Sequence, residues 1–302
     1  MLMDLMLPSR LQGLFELGDI DSLRDFQGKW QDYVSEFQLT AADTPTLVGI
    51  LELWFHWHRE NDFPEEPLAF APIHAWRALG QLQAVEALEP MLDNLDLLDE
   101  QMDDWSMEDW PVVFGLMGPP VIESLINYLR NQRRREFSRD VAAGGLMQIA
   151  RRHPDRHAQV VQVLSDQLAR HESLAVLNGS ILGKLLDLEA VESAEVIERA
   201  FAAEVIDESL CGCWMEVREK LGVEGLGITP LRPRTPRSDF FFPGDFLLHT
   251  STIPSVKPIS AVNENRKRPS ARPLRNHENA TVERNDLTPR SRHSIRSRRT
   301  EK

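Results

Sequence analysis

Ala78-Leu79-Gly80-Gln81-Leu82, with Ala84-Val85-Glu86-Ala87-Leu88 one residue further on, is the stretch that decides the fold, because related phrases recur down the chain. Val113-Phe114-Gly115-Leu116-Met117 followed by Pro119-Pro120-Val121-Ile122 is a second copy, and Gly144-Gly145-Leu146-Met147-Gln148-Ile149 a third. Leu182-Gly183-Lys184-Leu185-Leu186 followed by Glu189-Ala190-Val191-Glu192 is a fourth. Gly80, Gly115, Gly145 and Gly183 stand 35, 30 and 38 residues apart, a period that two helices and their turns fill. A small residue at each of these points is expected to let the next helix cross closely.

Around these phrases the apolar spacing is helical from Thr44 to about Val223, and no stretch alternates like a strand. Ile122, Leu125, Ile126 and Leu129 make one stripe. Ala142, Gly145, Leu146 and Ile149 make another, His157, Val161, Leu164 and Leu168 a third, and Leu210, Trp214, Val217 and Leu221 a fourth. Each stripe needs neighbours to cover it. Between them, Asp43-Thr44-Pro45 reads as a cap before a helix, and Gly118-Pro119-Pro120 and His153-Pro154-Asp155 as stop-and-start signals.

The phrases Ile73–Leu82, Asp103-Asp104-Trp105 and Phe114-Gly115-Leu116-Met117-Gly118-Pro119, with Arg152-His153-Pro154 and Ile197–Ala203 further on, resemble the HEAT-like repeats of the phycobilisome-lyase type. The resemblance spans about residues 44–224. It implies an all-α solenoid of about four helix pairs. It says less about activity, since such repeats serve unrelated proteins. The expected organisation is a helical lead-in or cap over 1–43, a repeat domain over 44–228 and a Pro/Arg-rich basic tail over 229–302.

Charge divides the chain at the same place. Residues 229–302 hold 16 Lys and Arg against 7 Asp and Glu, a net of +9, so the −13 of the whole chain leaves −22 on residues 1–228. The tail also carries 9 of the 19 prolines and no helical stripe, a composition that predicts disorder. Phe240–Leu248 is its one apolar island. No apolar run approaches the roughly 20 residues of a bilayer span, and Asp4 within the first apolar stretch makes a poor signal peptide. Cys211 and Cys213 are too close for an ordinary disulfide. The compartment expected from these features is the cytoplasm. An acidic body repels nucleic acid and anionic membranes, which leaves nucleic acid to the tail alone.

The longest charge feature is 78–129, with 11 acidic residues and no Lys or Arg. Its dense part contains Asp103, Asp104, Trp105, Asp109 and Trp110, which either grip a basic partner segment or form a solvated connection whose tryptophans pack inward. Arg133, Arg134 and Arg135, within the cluster Arg130–Arg139, either bind an acidic group or offset the adjacent acidic strip. In Trp54-Phe55-His56-Trp57-His58 the two histidines diverge by about 200° on a helix, so they read as the edge of a core face rather than as a chelate. One His-Glu pair, His171-Glu172, falls short of a repeat-type di-iron hydroxylase. A repeat-type DNA glycosylase needs a basic face.

The function expected from these residues is protein binding or scaffolding without catalysis, through the acidic repeat surface and toward a partner with a basic segment. No cofactor or metal is expected. The resemblance implies one enzyme-class alternative, a bilin lyase or bilin chaperone, for which Arg130–Arg139 would suit the propionates. A further alternative is nucleic-acid binding through the tail.

Overall fold

A computed structural model describes residues 8–18, 30–65 and 67–223. The chain divides into two units, Met1–Thr235 and Pro236–Lys302, and every described residue belongs to the first. The expectations for 229–302, including the Phe240–Leu248 island, lie outside the described residues. Among the described residues the secondary structure is helical, without a strand.

Two single turns, α1 (Ser9–Gln12) and α2 (Tyr33–Glu36), precede the long elements. These are α3 (Thr44–Glu60), α4 (Ala71–Gln81), α5 (Leu88–Glu100), α6 (Asp104–Met117), α7 (Ile122–Arg130), α8 (Glu136–Arg152), α9 (His157–Leu168), α10 (Ala175–Asp187) and α11 (Ala194–Ala202). The turn α12 (Glu208–Cys211) and α13 (Trp214–Leu221) follow. The helices pack on partners one to three positions away in the chain: α4 on α2, α3 and α6, α8 on α6, α7, α9 and α10, and α11 on α9 and α13.

The period lies in the turns rather than in the glycines. Single 3₁₀ turns directly precede six of the long helices. Those before α5, α7, α9 and α11 start at Val85, Pro119, Pro154 and Val191, at intervals of 34, 35 and 37 residues, while those before α3 and α4, starting at Ala41 and Leu68, fall outside this spacing. Gly80 and Gly145 stand five and nine residues before their turns, so the glycines are not equivalent positions. Three of them do sit where helices cross closely: a Cβ on Gly80 would meet the Val113 Cα at 3.3 Å, one on Gly115 the Gln148 Cβ at 2.5 Å, and one on Gly145 the Phe114 Cβ at 2.9 Å. Gly183 differs, with open space where its Cβ would be.

Helix ends show why the chain breaks where it does. Gln83, Met102, Glu189 and Glu204 all adopt left-handed φ, between 53° and 56°. The next residue's N–H then closes onto the carbonyl five residues back: Ala84 to Leu79 at 3.0 Å, Asp103 to Leu98 at 3.0 Å, Ala190 to Leu185 at 3.0 Å, and Val205 to Ala200 at 3.3 Å. Gly118 (φ 79°) marks a 111° bend between α6 and α7, and the His153 ring lies 3.0 Å from where a side chain would begin.

Two sequence-based expectations differ from the fold. The Asp43 carboxylate does not cap α3 but accepts bonds from the Thr40 N–H (2.9 Å) and hydroxyl (3.1 Å), closing the preceding turn. The stripe Leu210–Leu221 is not one helix, because Gly212 at φ 88° separates α12 from α13 and leaves Leu210 exposed.

The core runs through every helix pair. Ile122, Leu125, Ile126 and Leu129 are all buried, as are Ala142, Gly145, Leu146 and Ile149. In α4 every residue from Ala71 to Gly80 is buried. Its remaining side is closed by Leu11, Leu14 and Tyr33 of the N-terminal segment, where the His74 ring bonds both the Tyr33 hydroxyl (2.9 Å) and the Gly18 carbonyl (3.1 Å). No single helix among the described residues is long and apolar enough to cross a membrane.

Candidate functional site

Part of the acidic strip is turned inward, because helix termini leave backbone N–H groups that need acceptors. Of its eleven acids, Asp99, Asp103 and Asp109 are buried and Asp96 half-buried, and the other seven are exposed. Asp103 is the N-cap of α6, accepting from the Ser106 N–H at 3.1 Å, and it also takes the Trp54 indole N–H at 3.1 Å. Asp99 reaches from α5 to the first turn of α8, where the Ser138 N–H and hydroxyl both donate at 2.9 Å. Glu136 repeats the device, accepting from the Leu177 N–H at 2.8 Å in the first turn of α10. Each carboxylate thereby ties one helix pair to the next.

Asp109 lies deeper still. It accepts from Arg77 Nε (2.6 Å), Arg77 Nη2 (3.1 Å) and Trp76 Nε1 (2.9 Å), while the Arg77 guanidinium stacks 4.8 Å from the Trp30 ring centroid. Trp110 is fully buried between Phe55, Trp76 and Phe114. Trp105 is half-buried, edge-on to Phe70. Of the five acidic-strip residues predicted to meet a partner, Asp103, Asp109 and Trp110 therefore belong to the interior. Asp104 is exposed, and Trp105 partly so.

The predicted arginines separate as well. Arg134 pairs with Asp96 at 3.1 Å and covers the Tyr128 ring, and Arg135 lies 3.4 Å from Asp99. Only Arg133 of the three projects into solvent without a carboxylate partner within 4 Å among the described residues. Arg139 is buried, donating to the Leu129 carbonyl at 2.7 Å and pairing with Glu172 at 2.8 Å. Burial pushes the Asp96 and Glu172 carboxyls up, yet the hydrogen bonds each receives prevail and hold both below the usual carboxylate value. On the His74 imidazole burial prevails, and its pKa falls to about 4.

The tie through Asp99 has a surface consequence. The Met102 N–H donates to the Asp99 carbonyl at 3.1 Å, and Phe137 immediately precedes the Ser138 that donates to the Asp99 carboxylate. Two large apolar residues thus lie in the segments that Asp99 joins, and both are open to solvent, Met102 at 83% and Phe137 at 51%. Glu100 and Asp104, both exposed, bracket Met102. Sequence reasoning passed over this pair. A signal was present: Phe137 stands five residues before Ala142, about 140° off the α8 stripe, and Met102 interrupts an acidic run.

Other surfaces offer less chemistry. An open depression of about 470 Å³ joins the ends of α8 and α10 to the start of α9, lined by Arg151, His157, Asp187 and Glu189. Three of these four groups are engaged, Arg151 with Asp187 at 3.2 Å and His157 with the Leu188 carbonyl at 3.0 Å. Burial pushes the Cys211 thiol up to about 12, so it stays protonated. Among the described residues no group of three or more His, Cys, Asp or Glu converges to hold a metal ion. Comparison with protein-family models, with curated proteins and with solved structures finds no match.

Proposed function

We propose that the chain is a HEAT-like helical repeat protein whose stacked pairs form a scaffold for a protein partner, and that the partner presents a basic segment to the acidic side of the stack. The observation that carries this reading is the division of the acidic strip. Asp96, Asp99, Asp103 and Asp109 are engaged by hydrogen-bond or ion-pair partners within the domain, whereas Glu86, Glu89, Asp93, Glu100 and Asp104 remain exposed. Solenoid stacking fits the near-regular recurrence of the 3₁₀ turns and the neighbour-to-neighbour packing of the helices. A rigid surface of this kind limits the ordering cost of binding.

The test is affinity capture by the full chain across a salt series. The reading expects a protein that is retained at low salt and released at high salt, with its contact mapped by cross-linking to a Lys- or Arg-bearing segment. Retention indifferent to salt, or contacts confined to acidic segments, would count against it. Of the arginines the bilin alternative relied on, Arg134, Arg135 and Arg139 pair with Asp96, Asp99 and Glu172, and Arg130 lies 3.7 Å from Asp166. That leaves Arg133 alone turned to solvent without a carboxylate partner among the described residues.

A further inference from the structure

We infer that Met102 and Phe137 are the apolar anchors of the partner surface, and that the occupant is an amphipathic segment of a partner protein whose apolar side chains are flanked by Lys or Arg. This rests on the protein-binding reading above and gives that reading a place.

Three observations converge on the same edge. The first is geometric. Asp99 bonds the backbone of Met102 through its carbonyl and the backbone of Ser138 through its carboxylate, so the loop after α5 and the first turn of α8 are held side by side. The second is energetic. Met102 combines 83% exposure with φ 56°, a conformation in which Gly or Asn is favoured. A long apolar side chain there contributes nothing to the core, and the residues in the same conformation at the equivalent helix ends, Gln83, Glu189 and Glu204, are all polar. Methionine is also the side chain best able to mould itself to a partner.

The third observation is charge. The acids beneath the edge are satisfied by their own partners, Asp99 by Ser138 and the half-exposed Arg135. The local sign is therefore negative at the exposed Glu100 and Asp104 on the Met102 side and positive at Arg133 and Arg135 on the Phe137 side. A matching segment therefore places its Lys or Arg over Glu100 and Asp104, with its apolar residues on Met102 and Phe137. Central apolar anchors supply affinity, and the rim charges speed and orient the encounter.

Selection of phage-displayed random dodecapeptides on the full chain tests this. Recovered peptides should place an aromatic or aliphatic residue beside Lys or Arg. Synthetic copies should bind Met102→Asp and Phe137→Asp at least tenfold more weakly than the parent. Val191→Asp, at another exposed apolar residue, should leave binding unchanged. Circular dichroism and unfolding midpoints verify that all three variants fold. Basic peptides that bind both anchor variants as well as the parent would overturn this inference while leaving the acidic-surface reading intact. Failure to enrich any basic sequence would overturn both. Self-association in sedimentation velocity that Met102→Asp abolishes would identify the occupant as a second copy and also overturn it.

Discussion

Replacing Asp109 by Ala isolates what the acidic strip does inside the fold. The Arg77–Asp109 pair is almost dry, with side chains 1% and 4% exposed, and Asp109 takes two bonds from Arg77 and one from the Trp76 indole. Removing the carboxylate leaves a guanidinium without its counter-charge and a buried N–H without its acceptor. Breaking such a pair from one side costs about 3–5 kcal/mol, a large part of the roughly 5–15 kcal/mol that holds a domain folded. At roughly 2–4 °C per kcal/mol for a domain of this size, the midpoint should fall by about 10 °C. The Trp30 ring over Arg77 softens the loss, which favours the lower end of that range.

The double variant Arg77→Met, Asp109→Leu removes both charges and should recover stability to within about 2 kcal/mol of the parent, the residual cost being the unpaired Trp76 N–H. Urea unfolding followed by tryptophan fluorescence reads both, since Trp76 and Trp110 lie beside the pair, their ring centroids 6.1 Å apart. The denaturant slope should stay constant across the variants. A single variant that loses less than about 1 kcal/mol, or a double variant no better than the single, would refute the reasoning.

Other consequences follow from particular residues. Because the folded pKa of His74 is depressed to about 4, the unfolded chain binds a proton first on acidification. Stability is then full above about pH 6.5 and falls by about 3 kcal/mol toward pH 4; unfolding titrations of His74→Phe should lack that slope. Asp96 and Glu172, held below their usual values, should remove further stability as pH falls through their folded pKa values, read as a second acid transition. Gly115→Ala drives a Cβ into Gln148 and should cost about 1–3 kcal/mol, whereas Gly183→Ala meets open space and should add about 0.5–1 kcal/mol in the same unfolding assay. Met102→Gly should raise stability by up to about 1 kcal/mol by relieving the left-handed strain while weakening peptide binding.

Helices such as α7 were legible in the sequence because their burial is one-sided. Stripes such as Ile122–Leu129 repeat at helical spacing, and Gly118-Pro119-Pro120 stops one helix and starts the next, as the 111° bend there shows. Trp54, Phe55 and Trp57 form the expected core face with His56 at its edge, though His58 is buried against Gln101. The roles of the acids were harder to read. A run of carboxylates looks the same whether each faces water or bonds to a helix distant in the chain, and the partners of Asp99, Asp103 and Asp109 lie 39, 49 and 32 residues distant. The break at Gly212 was hidden because Leu210 keeps the helical register of α13 without sharing its helix. Phe137 and Met102 escaped notice for a related reason: spacing finds the side chains that pack together, and these two pack with nothing in their own stripe.

Hydrogen exchange of the full chain with and without a selected basic peptide tests the central claim most directly. The account predicts slowed exchange at amides in 100–105 and 133–138, the two segments that Asp99 holds together, with little change elsewhere. Slowing confined to the ends of α8 and α10 around Arg151 and Asp187, with Met102 and Phe137 unaffected, would contradict it.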